Sequence, residues 1–497
     1  MKGEKQRHGG MGKRGVARPM AMEGHEGGHG GMDPKQKQRM LEEHHGKTLW
    51  VPWTVILLGL WTLIHPFAFD YGTGAVPPAG GRDIWLSEAG RALAMTWSDV
   101  VSGVLLILFG WRWLRPGRAV SIWLACGVGV WMNAAPWIFW SPTAAGYLNG
   151  TLVGTLVIAL TILIPGMPNM ILHMKMGPDT PPGWSYNPSS WPQRAVIIAL
   201  AFAGWLVSRQ LATFQLGYST TIWEPFFGDG TRRVLTSKMS HSLPVSDAAL
   251  GAFAYTIEFL MGWMGGPARW RTMPWMVTFF GILVIPLGFV HIFLVASQPV
   301  AVGEWCTLCL AAAVIMLPMI PLQVDEVIAM GQFMARAKKE GKPFWRTFWL
   351  GDTVEGGGPD ERSPAMADFS RTPGRLLKSS AWGMSFPWNL AITVPLGIWL
   401  MGAPAVFGTM GRLADLDQIV GALIVVVAVV ACGEPLRIFR FLNLAAGVTV
   451  AAAPFLLGGA TPAGRINALI VGLAVAALAI RRGAFRESYS TWDRWVR

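Results

Sequence analysis

Twelve stretches of this chain are apolar all the way round a helix. They run over about 51–67, 98–114, 119–139, 145–165, 193–213, 243–264, 274–297, 303–321, 387–403, 417–432, 437–457 and 464–481. Most approach or exceed the ~18 residues that cross a bilayer. None shows the polar stripe of a helix on a soluble surface. The pattern predicts an all-α polytopic membrane protein of about 12 transmembrane helices.

Composition strengthens this reading. The chain is 52% hydrophobic and 14% charged, against about 25% charged in soluble domains. The net charge of +12 would suit nucleic acid, but its distribution points to a membrane. With the N-terminus inside, the outer segments and helix ends hold only Arg82, Arg91, Arg209, Arg232, Arg233, Lys238, Arg412 and Arg465 of the 41 lysines and arginines. That asymmetry follows the positive-inside rule. It predicts both termini in the cytoplasm. The Ala-, Gly- and Arg-rich usage resembles bacterial inner (plasma) membrane proteins. No cleavable signal is visible before Leu49.

Between the spans, residues 1–48 form a basic tail rich in His and Gly, expected to be disordered and to touch anionic membrane lipids. Its His8, His25, His29, His44 and His45 fit no defined ligand spacing, so no metal is predicted. Residues 166–192 form a Pro-rich linker. Residues 322–386 form a second linker, beginning with an amphipathic stretch, Val324 to Lys339, suited to the membrane surface. It then loosens at Gly356-Gly357-Gly358-Pro359. Residues 483–497 are a second cytoplasmic tail.

The chain contains a repeat. Asp99, Gly103, Gly129, Ala134-Ala135-Pro136, Thr143, Gly146, Asn149 and Gly154 recur at Asp417, Gly421, Gly447, Ala452-Ala453-Pro454, Thr461, Gly464, Asn467 and Gly472. A first helix pairs as well, Trp53 onward with Trp388 onward, after a change of loop length. Each copy is thus about four helices, 49–165 and 387–482. Small residues at these positions let membrane helices approach closely. Neither copy has a cluster of ionisable groups in its sequence pattern, so packing rather than chemistry is expected. A short Pro-Trp turn followed by a small-residue helix with Asn resembles the SPW-repeat family. Ala135-Pro136-Trp137 occupies the turn in copy one and Ala453-Pro454-Phe455 in copy two, with Ala in place of the family's Ser.

Between the copies lies a four-helix unit, 193–321, whose last helix opens with Cys306-Thr307-Leu308-Cys309. Two cysteines so spaced can close and reopen a disulfide. A helix N-terminus favours the thiolate. Cys306, nearer the end, is expected to be the more exposed. Zinc would need further ligands, and c-type haem would need His where Leu310 stands. Two unreactive cysteines remain a competing reading, as they are for Cys126 and Cys432.

The surroundings of the pair resemble the vitamin K epoxide reductase family. Val234 to His241 looks like that family's half-helix. Leu243-Pro244, Gly251 and Tyr255 match the start of the next helix, and Cys306 and Cys309 match the active pair. The resemblance implies a four-helix bundle around a lipid quinone, with quinone as substrate or electron carrier. It implies that Cys309 reacts with the quinone. Cys306 would resolve it and exchange electrons with an extracytoplasmic, thioredoxin-like thiol protein at the outer face. Asp247 falls where the family has a polar group for a quinone oxygen. The family's two loop cysteines are missing, with Trp223 and Thr231 near their places.

His291 sits at the depth of Cys309 and could supply a proton or bond a neighbouring helix. Glu258, one turn from Tyr255, suits an interhelical role or a proton path. Arg209 is expected to snorkel to head groups. Phe214, Tyr218, Trp223, Phe226 and Phe227 serve as interface anchors or cap an apolar pocket. The expected function is a membrane thiol–quinone oxidoreductase. A non-enzymatic scaffold or quinone-binding module is the alternative. A transporter is a third reading, disfavoured because the repeats lack broken helices with inward charges.

Overall fold

A computed structural model of the chain describes residues 34–69, 71, 76–163, 176–362 and 373–496. The chain is an all-α polytopic membrane protein. Helix α1 spans Pro34–Lys47, where the sequence predicts disorder. The rest of the predicted N-terminal tail lies outside the described residues.

The first flanking group consists of α2 (Trp50–Ala68), α3 (Glu88–Trp113), α4 (Ala119–Ile138) and α5 (Ala144–Ile162). The central group consists of α6 (Trp191–Gln215), a half-helix α7 (Gly230–Leu235), α8 (Asp247–Trp263), α9 (Pro274–Val284), α10 (Pro286–Ala301) and α11 (Thr307–Lys339). The second flanking group consists of α12 (Trp388–Phe407), α13 (Arg412–Val430), α14 (Arg440–Leu456) and α15 (Pro462–Ile480). Among the described residues, 11 spans are long and apolar enough to cross a membrane, α9 and α10 together making one. The expected twelfth is α8, whose 17 residues fall at the short end of the spanning range. The chain beyond Trp263 turns at Gly265, which has φ +79°.

Local chemistry starts these helices. The side chains of Ser87, Thr143, Ser246 and Thr461 each accept the amide three residues on, satisfying a donor the helix cannot. Proline stands in the first turn of α6, α9, α10 and α15, where no amide is needed.

The two flanking groups repeat their contacts. A Cβ on Gly59 would lie 2.9 Å from the Gly103 carbonyl, and one on Gly397 2.8 Å from that of Gly421. Gly129 meets Gly154 in the same way, and Gly447 meets Gly472. The Trp61 indole donates to Asn149 Oδ1 at 2.8 Å, and Trp399 to Asn467 Oδ1 at 2.8 Å. These contacts correct the pairing of the first helices. Trp61 answers Trp399 and Gly59 answers Gly397, so Trp388 corresponds to Trp50 rather than Trp53. Side-chain identity alone leaves the register open by a turn, and close glycine packing settles it.

The copies differ in polarity. In the first group Tyr71 donates to Asp99 Oδ2 at 2.8 Å and lies 3.1 Å from His65 Nδ1, and all three are buried. In the second group Asp417 is buried and its Oδ1 has no hydrogen-bond partner. The expectation of packing without an ionisable cluster is therefore corrected for copy one. The cause is not visible as a motif, because Tyr71 enters from a loop.

Helix α11 also departs from expectation. Val324 to Lys339 does not lie on the membrane surface. It continues α11 as one helix of 33 residues, about 50 Å at ~1.5 Å per residue. Val324, Asp325, Glu326, Ile328, Ala329, Phe333 and Met334 are buried. Arg269 grips Glu326 with two nitrogens, at 2.5 and 2.7 Å. Tyr186 donates to Asp325 at 2.7 Å. Residues 483–496 of the predicted tail pack in too, with Tyr489 buried and donating to Glu434 at 3.1 Å. Gly358 is held as well, its carbonyl accepting the amides of Asp179 and Thr180 at 3.1 Å each.

Candidate active site

Cys306 is the N-cap residue of α11, and its sulfur accepts the Cys309 amide at 3.1 Å. The two form a disulfide with Cα atoms 5.2 Å apart. Burial reverses the expected order of exposure. Cys306 is 0% exposed and Cys309 9%. Half-helix α7 closes over Cys306, and a Cβ on Gly230 would lie 2.1 Å from the Trp305 carbonyl. From behind, Gln298 Oε1 accepts the Cys306 amide at 3.2 Å. Both cysteines pack in one apolar cluster with Trp137, Trp140 and Tyr147 of the first flanking group.

A polar clamp occupies the neighbourhood of the missing loop cysteines. Glu224 accepts the amides of Phe226 and Phe227 at 3.1 Å each, and the amide of Thr307 at 3.0 Å. It also accepts the hydroxyls of Thr231 and Thr307. Burial pushes the Glu224 carboxyl up, but these hydrogen bonds outweigh it and hold it down at about 2. Thr231 is fully buried. One carboxylate thus ties the loop before α7 to the first turn of the cysteine helix.

A cavity of about 250 Å³ lies beside Cys309. Asp247, His291, Gly251 and Gln298 line it, together with apolar side chains such as Leu211, Met239 and Leu294. Asp247 Oδ1 accepts Gln215 Nε2 at 2.7 Å and the Ser240 hydroxyl at 2.9 Å. His291 Nε2 is buried without a hydrogen-bond partner. Tyr255 stands off the wall. Its hydroxyl donates to the Ala312 carbonyl at 3.2 Å, and its ring lies 6.3 Å from that of His291. Glu258 is fully buried, with neither carboxylate oxygen hydrogen-bonded and no bond to Tyr255. An apolar hollow with few converging polar groups suits a flat carbonyl ring. The His291 Nε2 on this wall is a polar atom with no partner in the protein.

Three further residues do not sit where the sequence suggests. Arg209 does not snorkel to head groups. It donates to Thr151 Oγ1 at 2.9 Å and lies over the rings of Tyr147 and Trp205. Phe214 is buried, and Tyr218 donates to the Ser141 carbonyl at 2.6 Å, so both are internal contacts. Trp223 and Phe226 are exposed.

Sequence reasoning missed Gln215, Gln298 and Glu224. Gln215 Nε2 also reaches Ser240 Oγ at 2.6 Å, so one amide orders the polar wall. For Gln215 and Gln298 the available signal was position, a polar side chain in the last turn of an apolar helix; Glu224, in mid-loop, carried none.

Residues 195–324 match the model of the vitamin K epoxide reductase family. Residues 381–482 match that of the SPW repeat domain. No curated protein and no solved structure matches the chain.

Proposed function

We propose, from the premise that residues 195–324 are a vitamin K epoxide reductase-family unit, that the chain is a membrane thiol–quinone oxidoreductase. The observation that carries this reading is that Cys309, disulfide-bonded to Cys306, shares a cavity with Asp247 and His291. The reaction moves two electrons and two protons: dithiol plus quinone gives disulfide plus quinol, and the reverse.

Cys309 is the sulfur that meets the quinone. Its thiolate adds to the ring, the Cys306 thiolate then attacks Cys309 Sγ, and the ring leaves with the electron pair as quinol. The two thiol protons end on the quinol oxygens, passing through His291 and Asp247 on the wall. To close the cycle, a thiolate of a partner dithiol attacks Cys306 Sγ and Cys309 leaves as a thiolate. The partner's second thiol resolves the mixed disulfide. Because the loop lacks relay cysteines, the partner acts on Cys306 directly. The charge asymmetry supports both termini in the cytoplasm and the cysteine end at the outer face.

The complete burial of Cys306 favours one other reading, a quinone-binding module that no longer turns over. Maleimide trapping separates the two in membranes carrying the intact chain, with and without quinone, and with Cys306→Ser as control. The enzyme is expected to show a dithiol that quinone converts to disulfide. A pair whose redox state ignores quinone and added dithiol alike sinks it.

A further inference from the structure

The two flanking groups differ most in their first loop. Copy two joins its helices with residues 408–411, whereas copy one uses residues 69–87. Its described stretch, residues 76–87, runs beside the outer loop of the central unit, where a Cβ on Gly80 would lie 3.9 Å from Thr236 Cβ. At its start Tyr71 is pinned by Asp99 and His65. Further on the Val76 carbonyl abuts Gly217, where a Cβ would lie 2.0 Å away. Ile84 packs against the apolar cluster that holds both cysteines. Trp85 donates to the Ile138 carbonyl at 3.0 Å.

Between these anchors Arg82 turns inward and is 8% exposed. Its two terminal nitrogens donate to the carbonyls of Leu243 and Ser240, the latter at 2.7 Å. Both residues line the cavity. The Ser240 hydroxyl in turn donates to Asp247 at 2.9 Å. Burial lowers the pKa of the Arg82 guanidinium, and the Asp247 carboxylate offsets part of that. A cation is costly to bury unless it is paired or hydrogen-bonded, so Arg82 here marks a site whose rim needs holding.

We propose that Arg82 is a positioning residue of the redox site, and that residues 76–87 of the first loop of copy one are a strap that braces the wall of the cavity from outside. The proposal rests on the thiol–quinone reading for its substrate. It assigns copy one a role that the short loop of copy two cannot fill. The strap fixes Ser240 by its carbonyl, and so fixes the hydroxyl that orders Asp247. Bound quinone then meets a preformed polar wall.

The test uses the full chain in membranes as wild type, Arg82→Gln and Arg82→Lys. The first readout is the KM and kcat for a short-chain benzoquinone with a small dithiol as electron donor. The second is the rate at which a phosphine reductant opens the Cys306–Cys309 disulfide. Arg82→Gln is expected to raise KM about tenfold with kcat little changed, because charge-assisted bonds are lost from a binding wall. It also speeds phosphine attack. Arg82→Lys, which keeps one such bond, falls between. Cys126 and Cys432, both buried, report folding by remaining unlabelled. If Arg82→Gln exposes them, Arg82→Lys carries the test. A folded variant with wild-type KM and wild-type phosphine rate overturns the strap. A wild type that passes no electrons to quinone overturns the functional reading instead. The phosphine rate then judges the strap, and an unchanged rate sinks it.

Discussion

Two glutamates secure the cysteine helix, Glu224 at its first turn and Glu326 past its middle, and they are held in opposite ways. Glu326, far from the cysteines, is buried and gripped by both ends of the Arg269 fork. Arg194 lies alongside, donating to the carbonyls of Gly262, Met264 and Gly265. Glu224, at the cysteine end, is partly exposed and bonded only by amides and hydroxyls. A buried charge held by a buried counter-charge cannot be released without leaving one of them bare. A carboxylate on the rim, held by neutral donors, can exchange them for water. The contact past the middle of the helix is built to stay closed. The loop over Cys306 is held by neutral donors alone.

The largest effect is expected where release is impossible. Glu326→Ala strands Arg269 and is expected to cost about 3–5 kcal/mol, read as a lower denaturant midpoint in detergent. Arg269→Met with Glu326→Leu recovers most of that loss. If the single and double variants unfold alike, the pair is not what secures this part of the helix.

A smaller effect is expected at the latch. Glu224→Gln keeps the shape but weakens charge-assisted bonds to neutral ones, and is expected to speed reductant attack on the disulfide by about tenfold. Global stability stays within about 1 kcal/mol of wild type, as for most surface changes. Equal rates in variant and wild type would show that the loop is closed by packing alone.

The latch also has a pH window. The Glu224 carboxyl is held down at about 2 from an ordinary 4.5. A depressed acid contributes stability that is fully present above the unfolded value and is lost as pH falls through the folded one. Protection of the disulfide is therefore expected to be flat from pH 7 to about 5 and to fail only toward pH 2. The rate at which a water-soluble phosphine, which also reduces in acid, opens the disulfide follows it. Loss of protection between pH 6 and 5 would assign the closure to another group.

The smallest effects test whether the flanking copies are equivalent as scaffolds. Trp61→Phe and Trp399→Phe each remove one indole bond to asparagine, and each is expected to cost about 1 kcal/mol in unfolding. Unequal costs would locate the asymmetry in the helices rather than in the first loop.

Much of this was legible in the residues. Apolar runs of spanning length are local, so the helices could be placed from sequence. The Asn149 and Asn467 bonds follow from polar groups that must find partners in hydrocarbon. Burial of Cys306 was not legible, because α7, 75 positions earlier by number, supplies the cover. The surface-lying reading of Val324 to Lys339 failed for a similar reason. Its polar residues meet Arg269 and Tyr186, which belong to other elements.

The sequence by itself determined the class, the spans, the duplication and the close-spaced cysteine pair, since length, polarity and spacing are properties of contiguous chain. Only the tertiary structure decided that Cys306 is the buried sulfur, what covers it and which polar side chains gather beside Cys309. Those depend on short polar side chains whose partners come from distant elements, and no local pattern records where such elements meet.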